Sequence, residues 1–363
     1  MSLRHPALLG LIAFTLQACR GGAGDLGAGR GDERRAFALS APVALRDPPG
    51  TVLARPDLAS EDSRGRIVFS DASDRNVKIY EPGGTLAAVL GRAGHGPGEF
   101  AALMMAQAYH DSVVAYDIGG PRLSVFSPDG RFAGTRLPGF AQLPMPFMVR
   151  VVDDSLFLLV APGAGGPHRK LLAMVRPDGS IRSRFLDPEW SLGGGPQVAS
   201  ATTLLADAAD GRVFATVAGG DSVWAFDYDG RRLAAFPADP ERPLVTARSL
   251  IEANGGKLRK PNGGYVVDGN RMVIGLVALD SGTVAMQIAP YDGRLGIDLE
   301  DGGTFVIATL AGSGGRTLVR REMVGALLGR DRRGRLLVLR YTSPEADAHE
   351  LVRATLVPVS GAR

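Results

Sequence analysis

The decapeptide GRAGHGPGEF, Gly91 to Phe100, sets His95 and Glu99 among four glycines and a proline, a composition compatible with a phosphate cradle, a metal loop or a bent connection. A dinucleotide fingerprint requires a glycine where Glu99 stands and a helix behind it, and Pro97 opposes that helix. A P-loop ends in Gly-Lys-Ser or Gly-Lys-Thr, and neither occurs. Metal binding through His95 needs partners, yet His5, His110, His168 and His349 are scattered, with no His-x-x-x-His. Asp227 and Asp229 in AFDYDG lack the glutamate that closes a calcium loop, so a hairpin turn is expected there. AGSGG, Ala311 to Gly315, has alanine where a nucleophile elbow needs glycine. No catalytic residue, metal ligand or cofactor is therefore expected. His95 and Glu99 are retained as candidates for contacts at a rim.

Composition determines what must carry such residues. The 49 glycines and 24 prolines exceed ordinary usage and favour many tight turns over long helices. With 45% hydrophobic residues, the chain can bury a large core. A net charge of +3, with basic residues scattered through turns rather than gathered in a stripe, gives no reason to expect a nucleic-acid partner.

The N-terminus reads as an export signal over residues 1–18: Arg4 precedes an apolar run from Ala7 to Leu16, too short for the roughly 20 residues of a membrane span. Leu16-Gln17-Ala18-Cys19 resembles the lipobox of bacterial lipoproteins, and that resemblance implies a lipid on Cys19 and attachment to a membrane. Cys19 is the single cysteine in the chain, so no intrachain disulfide can form. Residues 19–40 are expected to be the lipidated cysteine and a glycine-rich flexible tether. The same resemblance implies, from Arg20 rather than an aspartate after the cysteine, an outer-membrane lipoprotein facing the periplasm or the cell surface.

Beyond the tether, the chain repeats. A turn followed by a short apolar strand recurs six times, at Gly65, Ser112, Ser155, Gly211, Gly282 and Gly334. A second set, in which a strand enters a turn, ends at Gly84, Gly130, Gly179 and Gly230, with Glu300 to Gly303 as a less regular fifth. Each repeat is thus a meander of short antiparallel strands that must stack on its neighbours to bury its faces. The expected fold is all-β, a six-bladed β-propeller over residues 41–360, with paired β-sandwiches as the runner-up. The turns and GRAGHGPGEF together resemble bacterial six-bladed propeller proteins related to the NHL repeat, many of them lipoproteins. In that family the decapeptide links the outer strand of one blade to the inner strand of the next.

One segment, residues 239–264, departs from this rhythm. Leu244, Ala247, Leu250 and Ile251 share a helical face, so a helical insertion is expected, with Lys257, Arg259 and Lys260 forming a basic lip. Two functions follow. The first is a membrane-tethered, exported, non-catalytic binding or scaffold module for a protein, peptide or glycan. The alternative is a metal-dependent lactonase- or lyase-like propeller enzyme with its site in the central channel. Replacing Cys19 with alanine is expected to release the protein from membranes or block its maturation, as read by fractionation and mass spectrometry of the N-terminus. A variant that stays lipid-modified and membrane-bound would refute the lipobox.

Overall fold

The computed structural model describes residues 35–54, 56–136, 148–152, 156–160, 170–186, 204–217, 219–246, 249, 253, 271–290, 303–309, 315–343 and 348–359. Two strands, β1 (Arg35–Leu39) and β2 (Val43–Ala44), precede the first sheet, which contains β3 (Pro56–Glu61), β4 (Ile67–Asp71), β5 (Asn76–Tyr80) and β6 (Leu86–Leu90). The second contains β7 (Leu103–Tyr109), β8 (Ser112–Asp117), β9 (Arg122–Phe126) and β10 (Phe132–Arg136). In the third are β11 (Met148–Val152), β12 (Leu156–Val160), β13 (Leu172–Val175) and β14 (Ile181–Phe185). The fourth holds β15 (Leu204–Ala209), β16 (Arg212–Val217), β17 (Ser222–Asp227) and β18 (Arg232–Pro237). The fifth holds β19 (Arg271–Ala278), β20 (Thr283–Pro290), β21 (Gly303–Thr309) and β22 (Arg316–Met323). Last come β23 (Ala326–Arg330), β24 (Leu336–Ser343) and β25 (Ala348–Pro358).

β1 supplies the fourth strand of that last group. It pairs antiparallel with β25 from Arg35 opposite Pro358 to Leu39 opposite Ala354, so the two ends of the chain close one sheet. Residues 35–39 fall within the 19–40 segment expected to be tether. They are ordered because β25 offers an unpaired edge, and Phe37 buries its ring beside Val319 and Met323. Contacts between sheets run in a circle: β3 and β4 meet β7, β7 meets β11, β11 and β12 meet β15, β15 and β16 meet β19, and β19 and β20 meet β23. β23 then pairs in parallel with β3, Gly329 opposite Ala59 and Arg330 opposite Ser60.

The amino-acid pattern explains this arrangement. The second strands β4 (IVFSD) and β8 (SVVAYD) are buried on both faces, whereas the fourth strand β6 (LAAVL) alternates. In β4, Ile67 and Phe69 face the last sheet and pack with Leu337 and Leu339, while Val68 faces the second sheet and packs with Val113 and Ala115. One sheet therefore contributes to two apolar clusters, each fully buried large side chain contributing roughly 1.5 to 3 kcal/mol.

The six repeated turns lie between first and second strands, although Ser155 is outside the described residues. Gly84, Gly130, Gly179 and Gly230 join third strands to fourth, all with φ between 84° and 87°. Three turns share a lock. Asp62 Oδ1 accepts from the Arg64 and Arg66 backbone N–H groups while Oδ2 takes Arg66 Nε at 2.7 Å, and Asp331 does the same with Arg333 and Arg335. Asp227 repeats it with Asp229 and Arg231, which makes AFDYDG the expected hairpin turn. The expected fifth turn of the second set is corrected: Gly303 opens β21, so Glu300–Gly303 precedes the third strand, and residues 310–315 join it to the fourth. In the 239–264 insertion, Ser249 and Ala253 are helical and the Thr246 hydroxyl accepts from Ser249 N at 3.0 Å as a cap. Leu244 precedes that helical stretch and is buried against the fourth and fifth sheets, while Ala247, Leu250 and Ile251 lie outside the described residues.

Two buried aspartates anchor the start of inner strands. Asp71 accepts from Ala54 N at 2.7 Å, and Asp117 from Ala102 N at 2.8 Å and Ala101 N at 3.1 Å. Lys78, wholly buried, satisfies Asp71 at 2.6 Å and also binds Asp74 at 2.6 Å and the Val52 carbonyl. Nearby, the Tyr80 hydroxyl donates to Asp47 at 2.6 Å; burial, then Asp47, push it above its ordinary range, so it remains a neutral donor. Lys78→Met removes the cation and leaves the Asp71 carboxylate buried, which is expected to destabilise the fold by about 3 to 5 kcal/mol. Chemical denaturation measures this, and an unchanged midpoint would show that the pair is not structural.

Candidate functional site

Apart from β3 and β23, which pair with each other, the first strands have one edge without a strand partner among the described residues, and side chains from neighbouring sheets take up several backbone groups there. Ser60 Oγ on β3 accepts from Ala108 N at 2.9 Å, and Gln107 Oε1 on β7 accepts from Val151 N at 2.8 Å. Asp207 Oδ2 on β15 accepts from Ala278 N at 2.9 Å. Arg330, at the end of β23, donates to the carbonyls of Ala278 and Ala208, the latter at 3.1 Å, and so reaches two other sheets. Buried Gln287 imitates a strand more completely, accepting from Leu327 N and donating to Gly325 O, both at 2.8 Å. These polar residues serve the fold by pairing backbone groups that would otherwise lack partners.

Arg150, on β11, is different. Among the described residues no hydrogen bond satisfies its guanidinium. Its surroundings are dense with protein, and this desolvation pushes its proton affinity down, while Asp207 and then Asp57 act in the opposite direction. The residue is nevertheless only half-buried. Asp57 belongs to the first sheet, Arg150 to the third and Asp207 to the fourth, and both carboxylates act electrostatically on the guanidinium. Asp57 is the exposed member, near the beginning of its strand; Asp207 is half-buried. A guanidinium so placed can hold an acceptor such as a carboxylate.

The residues selected from the sequence lie elsewhere. Glu99 is engaged within its own loop: Oε2 accepts from Gly96 N at 2.8 Å, and Oε1 accepts from Arg92 Nε at 2.8 Å. The Gly96 N–H, then Arg92, hold its carboxyl below the usual range. With the folded value depressed, this stabilisation is present at neutral pH and is lost as pH falls through that value. His95 contributes its carbonyl, accepting from Arg122 Nη1 at 3.1 Å, while Arg122 Nη2 donates to Glu99 O at 2.6 Å. The decapeptide joins β6 to β7, as the family resemblance implies. Cys19, Lys257, Arg259 and Lys260 lie outside the described residues. Among those described, no group of three or more His, Cys, Asp or Glu is placed to hold a metal ion.

No protein-family model matches the chain, and no curated protein matches it. Solved structures do match. A Bacteroides fragilis protein described as exported aligns with 89% of this chain and 95% of its own, with TM-score 0.61 and 11% identity. A member of the DUF4221 family from Bacteroides vulgatus covers 90% of this chain and 99% of its own, with TM-score 0.57 and 11% identity. The WD40 domain of Toxoplasma gondii coronin covers 90% and 88%, with TM-score 0.50 and 8% identity. The chain is therefore an all-β protein with a β-propeller-like fold. At such identities the likeness extends to fold and not to function.

The loop generates a direct test. Gly91 has φ +73°, and a Cβ there would sit 2.2 Å from Phe100 Cε2. Gly91→Ala is expected to destabilise by about 1 to 3 kcal/mol through strain and overpacking. An unchanged thermal midpoint would show that the loop re-forms around the added methyl.

Proposed function

We propose that this protein is an exported, lipid-anchored, six-bladed propeller that works as a non-catalytic binding module, holding a protein, peptide or glycan at its axis. The observation that carries the reading is Arg150 on β11, a half-buried guanidinium that makes no hydrogen bond among the described residues. Five sequential four-stranded groups and a sixth completed by β1, with contacts running in a circle, support six blades. The apolar run ending at Cys19 supports export and lipidation, with placement at an outer membrane following from the lipoprotein resemblance. The exported Bacteroides fragilis protein of similar fold is consistent with that location.

A propeller suits such a role because separate sheets bring side chains distant in sequence to one axis while the sheet interfaces stay rigid. The test is ligand-induced stabilisation. Purified full-length protein in detergent is screened against peptides, oligosaccharides and small polar ligands by thermal unfolding, beside an Asp57→Trp variant that obstructs the channel. A true ligand at 100 times its Kd is expected to add about 2.7 kcal/mol to the wild type and much less to the variant. Chemical turnover of the ligand would instead support the metal-dependent enzyme, and equal stabilisation of both proteins would move the site away from the axis.

A further inference from the structure

We infer that the face bearing the β3–β4 and β23–β24 turns docks on an anionic lipid surface through Arg64, Arg332 and Arg333. The inference rests on the lipid-anchored reading and adds to it which face meets the membrane.

The two turns form one basic surface. β3 and β23 run parallel with Arg330 opposite Ser60, so residues 61–66 and 331–335 leave the sheet on the same side. Arg66 there is paired with Asp62 at 2.7 Å, and Arg335 and Arg353 reach Asp331 at 2.6 and 3.5 Å. Asp111 adjoins the surface and accepts from Ser63 Oγ at 2.5 Å. Three further arginines differ from these. The backbone N–H groups of Arg64, Arg333 and Arg332 donate to Asp62, Asp331 and Glu61 at 2.9, 2.9 and 3.0 Å, the last bond joining one turn to the other. Their side chains are exposed and have no hydrogen bond or ion pair among the described residues. Carboxylates thus fix the backbone beneath three guanidinium groups and leave the charges themselves to solvent. Guanidinium groups so presented suit phosphate oxygens, which they can bind in pairs.

Strand register supplies the partner. Arg330 pairs with Leu336 at the turn, Leu336 with Ala354, and Ala354 with Leu39, so these four residues mark one level at the end of the sheet. β25 and β1 continue past that level until Arg35 meets Pro358. Four more residue positions at about 3.4 Å each carry Arg35 about 13 Å further out, on the side of the arginine-bearing turns. The chain therefore enters the fold from this side. Fifteen residues separate Cys19 from Arg35, and a glycine-rich tether of that length reaches roughly 20 Å. A lipid on Cys19 would hold the three arginines close to headgroups, where each exposed arginine favours contact about fivefold. The β6–β7 link carrying His95 and Glu99 lies at the other end of the strands, facing away from the membrane.

The experiment reconstitutes the full-length protein into phosphatidylcholine vesicles, with or without phosphatidylglycerol, that carry a headgroup quencher. A fluorophore is placed on Ser281→Cys, in the exposed β19–β20 turn of the same face, or on Ser73→Cys, in the exposed β4–β5 turn of the opposite face. Phosphatidylglycerol is expected to increase quenching at position 281 and not at 73. The triple variant Arg64→Gln, Arg332→Gln, Arg333→Gln is expected to lower the docked-to-free ratio about a hundredfold with its thermal midpoint unchanged. Raised salt should act in the same direction. Equal quenching at both positions, or a triple variant that behaves like wild type, overturns the inference. So does binding of polyglutamate without any effect of phosphatidylglycerol, which would assign the surface to an acidic polypeptide. A protein that leaves neutral vesicles because Cys19 carries no lipid refutes the anchored reading instead; flotation with phosphatidylglycerol vesicles then decides the docking face, which stands only if the triple variant fails to float.

Discussion

Burial of both faces of nearly every sheet is the constraint from which the rest of this structure follows. A four-stranded meander with apolar residues on alternate sides cannot leave either side in water, so it needs two neighbours. β4 states the problem in five residues: Ile67 and Phe69 seek one partner sheet and Val68 another. A row of such sheets would end in two exposed apolar faces, and a circle has none. The Leu337 and Leu339 contacts with the first sheet remove the faces that an open row would leave, and β1 clasps β25 to hold the circle shut.

The same circle creates a polar problem at its centre. First strands present backbone edges toward the axis, and an unpaired N–H or C=O there is expensive. Ser60, Gln107, Asp207 and Arg330 answer it with side chains that cross from one sheet to the next. The axis is consequently charged for structural reasons. Arg150 is the addition that structure does not account for, and the functional reading starts from it.

Much of the architecture was legible in the sequence because turn chemistry is local. Asp62, Asp227 and Asp331 each precede a glycine by three residues and an arginine by four, and each folds the same hairpin through bonds spanning no more than four residues. The glycine-rich decapeptide likewise reads as a connection because Pro97 and the spacing of its glycines bar a helix-opening cradle. Where local signals compete with long-range pairing, the reading slips. Arg35 to Leu39 follow a glycine-rich stretch and look like its continuation, but their partner lies more than 300 residues away in β25. Glu99 stood out as a carboxylate near a histidine, and its loop consumes it.

The sequence by itself determined the strand-and-turn rhythm, the number of repeats in its first turn set and the apolar alternation that makes sheets stack, since all of these act between residues close along the chain. Only the tertiary structure decided which polar side chains are structural and which are available. Asp57, Arg150 and Asp207 are separated by tens of residues and carry no shared motif, and the two carboxylates act on the guanidinium only because the fold brings their sheets within electrostatic range. Desolvation and charge act through space, so the significance of a lone arginine in MVRVV depends on the sheets that enclose it.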